Sequence, residues 1–415
     1  MLTLPSFALP AAPDRRFSTS VRVNGEGGDS LYRCIQSITV DEDIEAGSSF
    51  SIQLSACRED DGSYPYIGDD NLEFWNRVSI YAAFPAQTEV VIDGYISNVT
   101  ISTDPDADSA TVEILGVDAS AEMNLVDKRK VWKGKSYEDI AREVIGQYKL
   151  KPVIAEVADS TASANVPPHP VAQRGTDLAF LRELARRKGY EFFVQGGSAY
   201  FRPAQLTGTP QKLIAVNFGN QTNCTRISID ADGTKPTEAE IQFIDPMTGE
   251  IPDPPVLEKE SGLPALGART LSQMRGAAGM PQARLAPRRL GCMTRAQAKD
   301  YAIGVLRRNA WCVTATGHLD GLRYGRVLRT RKLVTVKGVG ASRNGVYYVR
   351  KVRHQLTART YDMDFELVRN AVGTRGDEDF HGESPDAGFS VPALGPGADT
   401  DTVRVAEGGP RVMPA

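Results

Sequence analysis

The chain has 415 residues, of which 41% are hydrophobic and 24% charged, and a formal net charge of −4. That length predicts two to four packed units, and the ordinary composition excludes wholesale disorder and a collagen-like repeat. No apolar run approaches the roughly 18 residues of a membrane-spanning helix, so no integral membrane segment is expected.

The first twelve residues are apolar but lack a basic region and carry two prolines, and a cleaved signal peptide is not expected. The first 120 residues then read as β. Segments 17–23, 48–54, 77–81, 88–92, 95–101 and 110–115 alternate or are rich in β-formers, with turn clusters at 24–29, 60–63 and 104–108. The pattern changes at Ser136, where Ser136 and Asp139 have capping-box spacing. They open a helix whose apolar stripe is Tyr137, Ile140, Ala141, Val144, Ile145 and Tyr148. A strand at 152–155 and a polar loop to Gln173 follow. A second helix starts at Thr176 or Asp177 and ends in Arg186, Arg187 and Lys188 before Gly189, the arrangement a helix C-terminus favours. Residues 191–194 and 199–202 around Gly196 and Gly197 read as a hairpin.

Strands resume at 213–216, 224–229 and 239–243. Residues 245–292 are rich in proline and glycine and only weakly periodic. Thr294 and Gln297 cap a third helix with stripe Ala298, Tyr301, Ala302, Val305 and Leu306. Further strands are predicted at about 312–318, 325–337, 345–357 and 360–368, and the last 45 or so residues read as a flexible tail.

Charge is distributed unevenly. Residues 1–120 carry 20 acidic and 6 basic side chains, a net of −14; residues 281–370 carry 19 basic and 5 acidic, a net of +14; residues 371–415 return to −5. The basic block alternates with apolar residues, as in the run from Arg326 to Lys337. It is therefore read as solvated strand faces or a charge-complementary protein interface, in preference to a nucleic-acid surface.

The chemistry-bearing residues are sparse. Cys34, Cys57, Cys224, Cys292 and Cys312 form no Cys-x-x-Cys pair and read as buried free thiols, the odd count leaving room for an inter-chain bridge. His169, His318, His354 and His381 have no metal-ligand spacing. Asp362, Asp364 and Glu366 share one strand face opposite Met363, Phe365 and Leu367, a solvated face rather than an acid–base cluster. His354 is read as a hydrogen-bonded structural residue, Gly338-Val-Gly340 as a tight turn, and the Asn98 and Asn223 sequons as chance. There is no phosphate loop, dinucleotide fingerprint or nucleophile elbow. No catalytic residue, cofactor site or metal site is assigned, and the chain is not expected to be an enzyme.

The order of features carries a resemblance. It runs from Gly94–Ile101 and Val112–Ala119 through the link Leu125–Trp132 and the segment Tyr137–Ile145 to the helix Gln173–Tyr190. It ends in Asn344–Leu356 and Tyr361–Asn370. This series, over roughly residues 15–370, resembles the phage late control protein D family, the baseplate hub of contractile tails. It is also similar to the hub portion of VgrG-like proteins of type VI secretion and extracellular injection systems. The resemblance implies an α+β, mainly β chain with two tail-tube-like β-barrel domains and a small inserted α+β domain. The first barrel would be 1–120, the insert 121–205, and the second barrel 206–245 with 293–370. Residues 246–292 would be a peripheral excursion and 371–415 a flexible Gly/Pro-rich tail.

The implied function is a virion baseplate hub made in the host cytoplasm. A homotrimer would present six barrels, join the sixfold tail tube to a threefold spike and leave an axial channel for DNA without sequence-specific binding. Expected partners are the tail tube or tube-initiator protein, a separate central spike and other baseplate proteins. The sequence after Asn370 shows neither strand-rich organisation nor the repeats of a VgrG-like needle, which is why the spike is read as separate. The tail reads equally as a docking arm or a plain disordered end. The other readings are a hub of a phage-derived injection machine, a tail-associated cell-wall hydrolase, and a nucleic-acid binder using 281–370.

Overall fold

The computed structural model describes residues 17–27, 34–57, 72–85, 87–104, 109–155, 170–287, 291–357 and 359–380. The chain is mainly β, an α+β fold organised around one curled half-barrel sheet. Its longer N-terminal strands are β1 (Ser18–Val23), β2 (Ile35–Asp43), β3 (Gly47–Cys57), β4 (Arg77–Phe84), β5 (Gln87–Asp104) and β6 (Ser109–Asp118), and the two-residue strand Glu26–Gly27 pairs with β1. Each shows a period of two, as in β4, where Val78, Ile80, Ala82 and Phe84 are buried and the residues between them are not. The expected strands 88–92 and 95–101 are one long β5. It absorbs the join by register shifts against both neighbours, between Ile80 and Tyr81 of β4 and within its own Ile96–Asn98.

A compact insert follows. β7 (Asp127–Trp132) is followed by α1 (Tyr137–Gly146), β8 (Lys151–Ile154), β9 (Val171–Thr176), α2 (Asp177–Lys188), β10 (Glu191–Gln195) and β11 (Ser198–Arg202). The Ser136 hydroxyl accepts from the Asp139 amide at the start of α1, and Thr176 accepts from Ala179 at the start of α2. Gly189 ends α2 in the left-handed conformation (φ 63°). The insert buries its own core of Ile140, Val144, Ile145, Leu181, Leu184 and Phe201. The Leu125–Trp132 link is in fact half of a two-stranded ribbon, β7 with β9.

The chain then returns to the large sheet with β12 (Gln211–Ala215) and β13 (Cys224–Ala231). β14 (Glu238–Ile241) and β15 (Val256–Glu258) belong to a separate small sheet. Two helices follow, α3 (Leu271–Ala277) and α4 (Arg295–Asn309), each opened by a capping box, Thr270 with Gln273 and Thr294 with Gln297. α4 lays Ala298, Ala302, Val305 and Leu306 on Ala239, Ile241, Phe243 and Val256. The last strands are β16 (Val313–Asp320), β17 (Leu333–Lys337), β18 (Gly345–Leu356) and β19 (Tyr361–Arg369).

The sheet order is β13-β16-β19-β18-β2-β3-β6-β5-β4-β1, with β17 pairing β18 and β12 pairing β17. N- and C-terminal β regions therefore form one continuous sheet, joined where β2 runs antiparallel to β18 with Ile38 opposite Leu356 and Asp43 opposite Lys351. One hydrophobic core runs through both, from Val21 and Ile80 to Tyr361 and Leu367. Among the described residues, no helix is long and apolar enough to cross a membrane.

The expected strand 325–337 is only partly present. A short helical turn, Gly321–Tyr324, ends at Gly325 in the left-handed region (φ 68°), and Arg331 also has positive φ (62°), so pairing begins only at Leu333. The reading of 326–337 as a wet strand face is likewise corrected. Val327 and Leu328 are buried together, and β17 is buried along its whole length, Lys337 included.

Candidate functional site

The join between β2 and β18 is where the two opposite charge excesses meet. Arg353 of β18 grips Asp41 of β2 through Nε at 2.7 Å and Nη2 at 3.1 Å, Lys351 lies 3.6 Å from Asp43, and Arg350 lies 2.9 Å from Glu45. Part of the basic block is thus spent on carboxylates of the same chain. Exposed pairs of this kind contribute about 0–1 kcal/mol each, so they set register more than stability.

The centre of the join is buried. Glu42, 7% exposed, points inward from β2 at a position that its alternation would give to an apolar residue. Its carboxylate accepts from Arg329 Nη1 at 3.0 Å, from the Thr330 amide at 3.1 Å and from the Thr330 hydroxyl at 3.0 Å. Burial pushes its pKa up, but Arg329, His354 and Thr330 together hold it below the usual carboxylate range. Arg329 also donates to the Val91 carbonyl at 2.6 Å, and the Val327 amide donates to Glu89 at 3.1 Å. The 326–332 segment therefore crosses onto β5, which is why it is not a strand.

His354 adjoins this centre. It is 0% exposed, its Nδ1 lies 2.9 Å from the Tyr361 hydroxyl, and its Nε2 is 3.9 Å from Glu42 with no hydrogen-bond partner. Burial, opposed by Glu42, lowers its pKa to about 4, so the ring is neutral at pH 7. Tyr361 stacks on Phe17 with ring centroids 5.2 Å apart and also meets Phe84. His354 is thus a buried, hydrogen-bonded strand residue. His169 and His381 lie outside the described residues.

The Arg369-Asn370 ending is a clamp. Arg369 is 0% exposed and donates to three carbonyls, Leu266 through Nε at 3.1 Å and Nη2 at 2.9 Å, Asn344 at 2.9 Å and Gly373 at 2.5 Å, with Tyr347 packed beside it. Asn370 accepts from the Leu266 amide at 2.9 Å and donates to the Pro264 carbonyl at 2.9 Å. Two consecutive residues thus pin the 264–266 backbone to the end of β19. Asp177 does similar work in the insert, where it accepts from Tyr148 at 2.6 Å and from Lys128 and Gln173 at 2.5 Å.

Asp362, Asp364 and Glu366 are half-buried and paired, the first two with His318 at 3.5 and 2.9 Å and the third with Arg350 at 3.3 Å. Cys224 and Cys312 are buried thiols, Cys224 pushed up to about 11 by burial, whereas Cys34 is half-buried and Cys292 exposed. The side chain of Cys57 lies outside the described residues. Asn223 spends its amide on the Ala215 N–H and the Leu213 carbonyl. No group of three or more His, Cys, Asp or Glu that could hold a metal occurs among the described residues. The geometry is that of a braced scaffold.

The model of the family described as the Alg8 N-terminal domain matches residues 14–358. The chain belongs to that family. No curated protein matches it. Solved structures similar to this family member include a tail protein from Neisseria meningitidis MC58, at 14% identity and a TM-score of 0.60, covering 85% of this chain and 97% of that one. The 43 kDa tail protein of prophage MuSo2 from Shewanella oneidensis is also 14% identical, with a TM-score of 0.57 and coverage of 86% and 99%. The E. coli c3393 protein is 10% identical, with a TM-score of 0.51 and coverage of 88% and 79%. It is described as a type VI secretion component with structural similarity to the T4 tail proteins gp27 and gp5. At these identities the likeness establishes a shared fold.

Proposed function

We propose that this protein is the structural hub of a contractile-tail baseplate, related to the late control protein D proteins. The observation that carries the reading is the shared fold: 85–86% of this chain matches 97–99% of two tail proteins, one of them from a prophage. In this reading each chain brings two tube-like barrels, about 1–120 and 206–245 with 293–370, and the 121–205 insert. Residues 246–292 are a peripheral excursion and 371–415 a tail. Three chains make a ring that adapts a sixfold tube to a threefold spike and leaves an axial channel for DNA. The partners are the tube or tube initiator, a separate spike and other baseplate proteins, and the location is the virion tail.

Two features support it. The sheet is curled but open, with β13 pairing only on its β16 side among the described strands. A free strand edge of this kind accepts a strand from a neighbouring chain. The braced geometry of the join also suits a load-carrying ring better than a catalyst. The likeness to the E. coli secretion component favours one second version, the same hub in a contractile injection machine.

Light scattering across a concentration series tests the proposal. A stable species at three times 45.0 kDa, or a monomer that becomes a trimer when the cognate spike is added, is expected. A dimer or tetramer, or hydrolysis of peptidoglycan by the purified protein, would overturn it.

A further inference from the structure

Where α2 of the insert meets α4, the hairpin turn after β2 and the 261–263 backbone, a cleft of about 550 Å³ opens. Four of its five arginines have no carboxylate within ion-pair distance among the described residues. Arg307 gives Nε to the Ser261 carbonyl at 3.0 Å and Nη1 to the Lys188 carbonyl at 3.2 Å. Arg308 donates to the Arg186 carbonyl. Arg182 gives Nη2 to the Ala46 carbonyl at 2.9 Å, while its Nε is buried with no partner. Arg186 is exposed, and no ion pair engages it among the described residues. Asp118 and Asp43 act on Arg182 only from beyond ion-pair distance.

The carboxylates in the same cleft are already engaged. Glu45 is held by Arg350 at 2.9 Å, Glu183 by Arg187 at 2.5 Å, and Glu191 by the Tyr348 hydroxyl at 2.8 and 2.9 Å. Part of the arginine set is explained by capping, since Arg307 and Arg308 satisfy the last carbonyls of α2. That end carries only about half a negative charge, against four cations. Each guanidinium has five N–H donors; the carbonyls, with the Tyr301 side chain at Arg308, use one or two, so most donors remain. Burial holds the Arg182 pKa below its ordinary level.

We propose that this cleft binds a polyvalent phosphate compound whose oxygens accept from the free guanidinium edges of Arg182, Arg186 and Arg308. Planar guanidinium forks match phosphate oxygens two at a time. Several convergent cations also call for more than the single charge that one carboxylate supplies. The volume falls within the roughly 300–1,000 Å³ range of small-ligand sites.

The test is titration calorimetry on the full-length protein at constant ionic strength, with tripolyphosphate, orthophosphate and a single-stranded oligonucleotide as separate probes. Saturable tripolyphosphate binding is expected, tighter than orthophosphate. It should weaken at least tenfold in the double variant Arg186→Gln with Arg308→Gln, whose exposed side chains leave the fold intact by circular dichroism. Arg182→Lys keeps the charge but loses the fork, and a smaller loss is expected. No heat with either phosphate beyond that of sodium chloride would overturn the proposal, as would unchanged affinity in the double variant. So would a site that takes the oligonucleotide but not tripolyphosphate.

Discussion

Substituting Gly304 by alanine tests how the insert is held. Gly304 lies within α4 and faces Gly189, the residue that ends α2. A Cβ on Gly304 would collide with the Arg187 carbonyl oxygen and lie 2.8 Å from the Lys188 carbonyl carbon and 3.0 Å from the Gly189 nitrogen. The reciprocal Cβ on Gly189 would lie 2.7 Å from the Gly304 carbonyl oxygen. Two opposing effects are at stake. Alanine in a helix interior gains about 1 kcal/mol over glycine through propensity, whereas forcing extra volume into a packed contact costs roughly 1–3 kcal/mol. The obstructing atoms are backbone, which cannot swing aside, so the upper part of that range applies and a net loss of about 1–2 kcal/mol is expected. Gly276 in α3 is the control: a Cβ there meets nothing within 4 Å, and Gly276→Ala should stabilise by about 0.5–1 kcal/mol. Urea unfolding of both variants against the parent protein reads the difference. A Gly304→Ala protein as stable as the parent would refute the close-contact account of α2 on α4.

Three more expectations concern the join and the clamp. Glu42→Ala leaves Arg329 and the Thr330 amide buried without their acceptor and should cost about 3–5 kcal/mol by urea unfolding; adding Arg329→Met should recover part of that loss. Acidification should weaken the fold. His354 has a folded pKa of about 4 against an ordinary 6.5, so the unfolded chain takes the proton first and stability falls as pH drops from about 6.5 to 4. The change is at most about 3 kcal/mol, and the lowered Glu42 carboxyl adds to it below its own unfolded pKa. His354→Gln should flatten that slope, and an unchanged slope would count against a buried neutral imidazole. Arg369→Met should free the Leu266, Asn344 and Gly373 carbonyls, cost more than about 3 kcal/mol and bring new protease cleavage near Leu266; a normal digestion pattern would show that the clamp is dispensable.

Much of this fold is legible in the sequence wherever local chemistry decides. Ser136, Thr176 with Gly189, and Thr294 with Gln297 mark helix ends because caps act within four residues. Alternation marks β4, β6 and β19 for the same reason. The misses are long-range. β2 escapes notice because Glu42 occupies an inward position of its alternation and so breaks the apolar pattern, and the partners that make it tolerable lie some 287 residues away. The 326–332 segment imitates a strand because Arg329 alternates with apolar neighbours. Its geometry is set by that distant carboxylate. The mutual cancellation of acidic and basic regions at the join is equally invisible to a charge count taken along the chain. The arginine cleft goes unnoticed too, since Arg182, Arg186, Arg307 and Arg308 look like ordinary helix-end cations until α2 and α4 are brought together.

The β2–β18 join also bears on how such a gene can be shuffled. Its two sides are encoded some 300 residues apart, yet the buried Glu42 needs Arg329. A crossover between them that mixes two divergent alleles would strand buried charge in the progeny protein. The insert from β7 to β11 has its own core and meets the rest through α2 on α4 and through Glu191 on Tyr348. Recombination should therefore exchange the insert as a cassette and transmit the flanking β regions as one linked pair, however far apart they lie on the chromosome.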